Sequence, residues 1–131
     1  MPGPKPTAEP NAFLARNMET YGRAWETRDA ALVCEVFTED ATYQQDPFSA
    51  PMLGRAGIHR YWEEATRFHR EIRFHWQPVS STGNLHVVEW GAEFTREDSG
   101  RRIELRGVMF IELRGERISR FREYWLRREN A

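Results

Sequence analysis

Residues 35–47 read EVFTEDATYQQDP, and residues 53–62 read LGRAGIHRYW. The first stretch predicts the end of a helix, a turn at residues 38–40 and a short strand over residues 41–45. The second predicts the start of a helix, because Ile58, Tyr61 and Trp62 recur at helical spacing. Between them, residues 46–54 contain two prolines and a glycine, which favour an irregular loop.

Upstream of this stretch the apolar side chains also recur at helical intervals, namely Leu14, Met18, Tyr21 and Trp25. They predict a first helix that ends near residue 27, with Asn11 or Thr7 as its N-cap. Asp29 then caps a second, shorter helix over residues 30–37. Residues 1–10 contain four prolines and no apolar anchor, which predicts a disordered arm before a single domain of residues 11–131.

Downstream the apolar period changes from the helical interval to two, which is typical of strands. Four such segments follow one another, at residues 72–77, 85–95, 102–113 and 118–126. Tight turns between them predict an antiparallel meander. Three helices and a meander predict an α+β fold in which the helices cover one face of the sheet.

These patterns resemble the nuclear transport factor 2-like superfamily, in particular its SnoaL-like branch. Its members lead into the first strand with phe-x-x-asp-ala-x-tyr, as residues 37–43 do, and continue with gly-arg-x-x-ile-x-x-tyr-trp, as residues 54–62 do. The resemblance extends over roughly residues 13–127. It implies a cone-shaped, curved antiparallel sheet covered by three N-terminal helices around a pocket.

Composition restricts the class of partner. The formal net charge of −1 argues against a nucleic acid as the main partner. The only cysteine, Cys34, follows apolar residues and is expected to be a buried, inert thiol. No apolar run resembles a signal peptide or approaches the ~20 residues needed to cross a bilayer, so we expect a cytoplasmic protein without a membrane partner.

The first strand carries the strongest candidates for catalysis, Tyr43, Gln45 and Asp46. Alternation places Tyr43 and Gln45 on one face. In ketosteroid isomerase, an asp-pro at the end of this strand carries the general base. Counting back from Pro47 gives Asp46 that position, whereas counting forward from Ala41 gives it to Gln45. As a base, Asp46 needs a raised pKa; the alternative is an Asx-turn that caps the loop.

The same isomerase suggests a substrate contact at Tyr21, which resembles the tyrosine that donates to the oxyanion. Its second donor corresponds to Val108, which cannot donate, and this argues against steroid isomerisation. The limonene epoxide hydrolase type carries arg-x-asp on its third strand, similar to Arg102 and Glu104. That resemblance implies an acid at Glu104, although an exposed cross-strand pair is the commoner explanation. Leu126 stands where that hydrolase has an aspartate.

Further ligand contacts are expected from aromatic residues and from one carboxyl group. Trp62, Trp76 and Trp90 are expected to line the cone, and such a wall suits a mostly apolar organic ligand. Glu123 shares a strand face with Phe121 and Trp125. If that face is concave, Glu123 is a buried carboxyl with a raised pKa and a candidate acid or base.

No motif indicates a cofactor or a metal. The four histidines lack metal-ligand spacing, and His59 and His69 are expected to be exposed. Neither a glycine-rich phosphate loop nor a nucleophile elbow is present. The sequence therefore favours cofactor-free acid–base chemistry of the isomerase, cyclase, dehydratase or hydrolase type. The alternative is a non-catalytic ligand-binding or dimerisation module. Apolar residues on both faces of the late strands also predict a homodimer.

Overall fold

Three helices and one six-stranded sheet make up the computed structural model, which describes residues 11–130. In chain order the elements are α1 (Ala12–Glu26), α2 (Ala30–Cys34), β1 (Phe37–Gln44), β2 (Met52–Leu53), α3 (Gly54–Thr66), β3 (His69–Thr82), β4 (Leu85–Arg96), β5 (Arg102–Arg114) and β6 (Arg117–Asn130). The predicted α+β class is confirmed. The predicted arm of residues 1–10 lies outside the described residues.

The starts of the first two helices follow from their capping side chains. The Asn11 side chain accepts hydrogen bonds from two amides of the first turn of α1, at 2.8 and 3.2 Å. The Asp29 side chain accepts from the amide of Leu32 at 2.9 Å and caps α2. Helix α2 ends at Cys34, before the predicted residue 37, because Phe37 already pairs with β6.

The strands lie in the order β2-β1-β6-β5-β4-β3. The predicted meander of β3 to β6 is confirmed, since each of these strands pairs antiparallel with the next. The expected antiparallel sheet is mixed at one place, because β1 pairs parallel with β6 and Tyr43 lies opposite Phe121. The predicted turn at residues 38–40 is part of β1, where the pairing is irregular between Phe37 and Thr42.

One face of the sheet packs against the helices and forms the core. Fully buried side chains there include Leu14 and Met18 of α1, Ile58 of α3, and Met109 and Ile111 of β5. Each such side chain contributes about 1.5–3 kcal/mol by leaving water. The opposite face, called the open face below, carries the alternate side chains of β3 to β6. Alternation along the strands thus separates a covered face from an uncovered one.

Gly107 lies on β5 between two tryptophans, with Trp90 opposite it on β4 and Trp125 opposite it on β6. A Cβ atom at Gly107 would lie 2.4 Å from the backbone oxygen of Tyr124 and 2.9 Å from the Trp90 Nε1 atom. Glycine is therefore needed here for close approach, since the Trp90 indole nitrogen fills the space that a side chain would occupy.

We expect Gly107→Ala to lower the free energy of unfolding by about 1–3 kcal/mol, because the backbone oxygen of Tyr124 cannot move aside freely. The matched control is Gly57→Ala in α3, where the nearest atom to the added Cβ is 3.7 Å away. That change should stabilise the protein by about 1 kcal/mol through helix propensity. Urea denaturation measures both, and equal stabilities for parent and Gly107→Ala would contradict the expectation.

Candidate functional site

A cavity of about 210 Å³ lies between the sheet, α1 and α3. Half of the residues in its wall are Trp, Tyr or Phe, and the indoles come from Trp25, Trp62, Trp90 and Trp125. The volume is below the ~300–1,000 Å³ typical of ligand pockets, so it suits a compact molecule. An aromatic wall of this kind removes water from any polar group that it surrounds.

Two phenols and a carboxyl group form a hydrogen-bonded chain in the cavity wall. The Tyr21 and Tyr43 hydroxyls are 2.9 Å apart, and the Tyr43 hydroxyl donates to Glu123 Oε1 at 3.4 Å. A phenol has one proton, so Tyr43 accepts from Tyr21 when it donates to Glu123. The three side chains come from α1, β1 and β6, and the parallel pairing of β1 with β6 brings the last two together.

Burial controls the protonation of this chain. It raises the pKa of Glu123 to about 8, and the hydrogen bond from Tyr43 offsets only part of the rise. Burial and the nearby Glu123 raise the pKa of both Tyr21 and Tyr43, so these side chains stay neutral phenols. Glu123 is consequently a neutral acid at pH 7. Because Oε1 accepts from Tyr43, the acid proton belongs on Oε2, which is buried and has no partner among residues 11–130.

Two indoles of the wall also carry unpaired donors. Within the described part of the chain, Trp62 Nε1 and Trp90 Nε1 are buried and have no hydrogen-bond acceptor. Leaving a buried donor unpaired costs about 1–3 kcal/mol, so each calls for a partner outside the described protein groups. With Glu123 Oε2, three unpaired polar atoms belong to residues that line one cavity.

His69 lines the cavity at the start of β3. Its Nδ1 accepts from Trp25 Nε1 at 3.2 Å, and its ring stacks on Phe94 at 3.7 Å. Since an indole nitrogen only donates, the histidine proton lies on Nε2. Burial first, and then the charges of Arg96 and Arg28, lower the pKa of His69 to about 4. The expectation that His69 is exposed is wrong, because the start of β3 turns the ring towards Trp25.

Of the three residues predicted to be catalytic, Tyr43 and Gln45 line the cavity. The Gln45 side-chain oxygen accepts from the Tyr61 hydroxyl at 3.1 Å. Asp46 instead accepts from the Phe48 amide at 2.8 Å and from the Ser49 hydroxyl at 2.7 Å. These bonds lower its pKa, so the expected rise is wrong and Asp46 caps the loop.

The predicted ligand contacts divide into two groups. Tyr21, Trp62, Trp90 and Glu123 line the cavity, as expected. Trp76 lies outside its wall and pairs across the strands with Trp90.

Two other positions lie on the open face. Glu104 binds Arg106 of its own strand at 2.5 Å and pairs across the strands with Arg128 of β6, and it does not line the cavity. Leu126, the position compared with the hydrolase aspartate, is 81% exposed, and the buried carboxyl group of this strand is at Glu123 instead.

Sequence reasoning did not find the cavity roles of Trp25, Tyr61, His69, Arg96 and Arg127. No pattern along the chain marks them, because their places depend on packing between distant elements. Within residues 11–130, no group of three or more His, Cys, Asp or Glu side chains is arranged to hold a metal ion. None of the helices in the described range is both long and apolar enough to span a bilayer.

A family model described as the SnoaL-like domain matches residues 18–121. Three similar solved structures illustrate the fold. The Δ5-3-ketosteroid isomerase from a Mycobacterium species is 15% identical, with a TM-score of 0.76 over 92% of this chain and 100% of that one. The epoxide hydrolase/cyclase-like enzyme SalBIII, which acts in pyran ring formation in the polyether salinomycin, is 22% identical, with a TM-score of 0.72 over 86% and 89%.

The third structure comes from Catenulispora acidiphila and has a ketosteroid isomerase-like fold in complex with trimethylamine. It is 17% identical, with a TM-score of 0.73 over 82% of this chain and 83% of that one. At these identities the structures establish a shared fold and no shared reaction. No curated protein sequence matches the chain significantly.

The raised pKa of Glu123 predicts that the contribution of this residue to stability falls as pH rises. The unfolded carboxyl loses its proton near the ordinary value of 4.5, whereas the folded one keeps it until about pH 8. Between these values Glu123 binds more protons in the folded state, so its contribution decreases by up to about 1.4 kcal/mol per pH unit. Glu123→Gln should remove this slope and gain about 2–4 kcal/mol relative to the parent between pH 5 and pH 8. The lowered pKa of His69 acts in the opposite direction below about pH 6.5, equally in the parent and in a Glu123 variant.

Urea denaturation at pH 5 and pH 8 measures the effect. Only the change with pH matters, because any packing effect of the amide is present at both values. Glu19→Gln on the exposed side of α1 is the control for loss of a carboxyl group, and it should follow the parent. Parallel pH profiles for the parent and Glu123→Gln would contradict the expectation.

Proposed function

The chain belongs to the SnoaL-like domain family, and from this premise we propose that it is a small-molecule pocket enzyme that carries out cofactor-free acid–base chemistry on a mostly apolar organic substrate. One observation carries the proposal: the Glu123 carboxyl lies in an aromatic cavity, hydrogen-bonded to Tyr43, with an unpaired oxygen. Buried carboxyls with shifted pKa values cluster at functional sites.

Glu123 has the properties that a general acid requires. Its pKa of about 8 is close to neutral pH, where proton donation and recovery are both accessible. At pH 7 the proton on Oε2 is available to a ligand oxygen, such as that of a ketone or an epoxide. After donation, the resulting carboxylate can remove a carbon-bound proton from the same ligand. This restores the acid and converts a ketone into its enol, or an epoxide by C–O cleavage into an allylic alcohol, so the net reaction is an isomerisation.

Tyr43 and Tyr21 support that exchange. When Glu123 becomes a carboxylate, the hydrogen bond from the Tyr43 hydroxyl to Oε1 stabilises the new charge. Tyr21 donates to Tyr43 in turn, so the chain is polarised toward the carboxyl group. Both phenols keep their protons because burial raises their pKa values. Their role is to position and stabilise Glu123 while it gains or loses a proton.

Similar structures support acid–base chemistry as the class of reaction. Two of them are named as a ketosteroid isomerase and an epoxide hydrolase/cyclase-like enzyme, and a third is in complex with a small amine. The size of the present cavity bears on substrate choice. Its volume of about 210 Å³ favours a compact substrate over a steroid.

We further propose that the protein forms a homodimer through the open face. Apolar side chains there include Tyr124, which is 45% exposed, and Leu126, which is 81% exposed. Phe110 packs edge-on against Tyr124 at 5.9 Å and extends this patch. An uncovered sheet face with apolar side chains is a typical protein contact.

The activity test is a screen of compact enones, ketones and epoxides for isomerisation or ring opening. For any substrate that reacts, Glu123→Gln should lower kcat about 100- to 10,000-fold, as expected for loss of a general acid. The rate should also fall as pH rises through about 8, because the acid form disappears. Tyr43→Phe should reduce kcat less, since the carboxyl group itself remains.

The matched control is Asp46→Asn. Asp46 caps a loop and does not line the cavity, so this variant should keep the parent kcat. Loss of activity in Asp46→Asn with full activity in Glu123→Gln would overturn the assignment. Equal ligand binding by the parent and Glu123→Gln, with no turnover by either, would identify a non-catalytic binding module.

The dimer test is light scattering at micromolar concentration. The parent should have the mass of two chains, and Leu126→Glu should have the mass of one because it places charge in the patch. Glu19→Arg, on the exposed side of α1 and away from the sheet, is the control and should keep the mass of two chains. A parent of monomeric mass would contradict the proposal.

A further inference from the structure

The cavity has a buried end and an exposed end with different chemistry. Glu123 is 5% exposed and marks the buried end. Arg127 lies four residues further along β6 on the same face, and its side chain is 43% exposed. Four residues of strand span about 13 Å, so the two ends are well separated. Arg96 and His69 also line the cavity, and they are paired with each other where β4 meets β3. We call His69, Arg96 and Arg127 the mouth.

Every free polar hydrogen-bonding group of the mouth side chains is a donor. His69 uses Nδ1 as the acceptor for Trp25, which leaves its Nε2–H. Arg96 binds Asp98 through Nε and Nη2, and its Nη1 has no partner among the described residues. Arg127 binds Glu129 through Nη2 alone. A ligand that enters here can therefore accept hydrogen bonds from these N–H groups.

The charge at the mouth is positive after its ion pairs are counted. Arg96 pairs with Asp98 at 2.7 Å. Glu129 is shared, since it binds Arg101 at 2.7 Å and Arg127 at 2.9 Å. The arginines lower the pKa of both carboxyls, so these stay ionised. Three guanidinium groups thus face two carboxylates.

The same positive charges also act on His69. After burial, the causes that keep its ring neutral are the charges of Arg96 and Arg28, which disfavour a second positive charge. The same field favours an anion at this position.

We propose that the mouth is a carboxylate subsite, so that the substrate is a compact organic acid whose carboxylate binds Arg96, Arg127 and His69 while its apolar body extends toward Glu123. The inference rests on the proposed function and names its substrate class. A carboxylate accepts from a guanidinium with good geometry and from the imidazole N–H at the same time. The aromatic midsection, with Trp25 and Trp90, takes the apolar part.

Matched probes separate this subsite from general apolar binding. The probes are 4-phenylbutanoate and 4-phenylbutan-1-ol, which share an apolar body and differ at the oxygen group. Calorimetry and quenching of tryptophan fluorescence measure binding to the full chain. The parent should bind the carboxylate at least about 10-fold more tightly than the alcohol, because charge-assisted hydrogen bonds are the stronger ones. Added salt should reduce that preference.

Two variants should weaken carboxylate binding, and a third should strengthen it. Arg127→Gln and Arg96→Gln should each weaken carboxylate binding about fivefold to tenfold and leave the alcohol unchanged. Glu129→Gln releases Arg127 from its ion pair and should strengthen carboxylate binding about twofold to fivefold. Arg120→Gln, on the same strand but away from the cavity, is the control and should change neither probe.

The outcomes distinguish this subsite from the cavity chemistry. If both probes bind equally and Arg127→Gln has no effect, the carboxylate subsite is wrong while the proposed function stands. If Glu129→Gln weakens carboxylate binding, the charge argument is overturned. If neither probe binds, then both the subsite and the pocket role of the cavity are overturned together.

Discussion

Removal of water from the Glu123 carboxyl is the constraint on which the site depends. In water this group would be an anion, and the aromatic wall makes that anion costly. The Glu123 carboxyl therefore keeps its proton, and it accepts a hydrogen bond from the Tyr43 hydroxyl. Helix α1, strand β1 and strand β6 must therefore meet at one point, since they carry Tyr21, Tyr43 and Glu123. The tertiary arrangement and the protonation state are two results of the same burial.

Burial also shifts the pKa of His69, but in the opposite direction. Burial raises the pKa of Glu123 and lowers that of His69, so that both side chains are neutral at pH 7. Glu123 inside the cavity and His69 at its mouth thus offer hydrogen-bonding groups without formal charge, while the formal charges of the cavity wall are those of Arg96 and Arg127. Under the proposed function, this division places the proton exchange away from formal charges. It also costs stability, as is common where polar groups are held for function.

The sequence predicted the features that depend on local residue patterns. It did not predict the side-chain positions that depend on packing between distant elements. Helical spacing, caps and tight turns identified the helices and the meander, and alternation placed Glu123 on a face with Phe121. Counting along β1 could not decide between Gln45 and Asp46, because the pairing is irregular between Phe37 and Thr42. In the structure Gln45 lines the cavity, while Asp46 is held in its own loop by a hydrogen bond from the Ser49 hydroxyl. Counting residues along the sequence cannot reveal that hydrogen bond.

The parallel pairing of β1 with β6 has a consequence for the time at which the cavity forms. Tyr43 and Glu123 are 80 residues apart in the chain. At a synthesis rate of about 5–20 residues per second, Tyr43 is made about 4–16 seconds before its partner exists. During that interval β1 lacks the strand that it joins, and closing so long a loop slows folding. The nascent chain thus completes its first strand and the contact between Tyr43 and Glu123 in one late step.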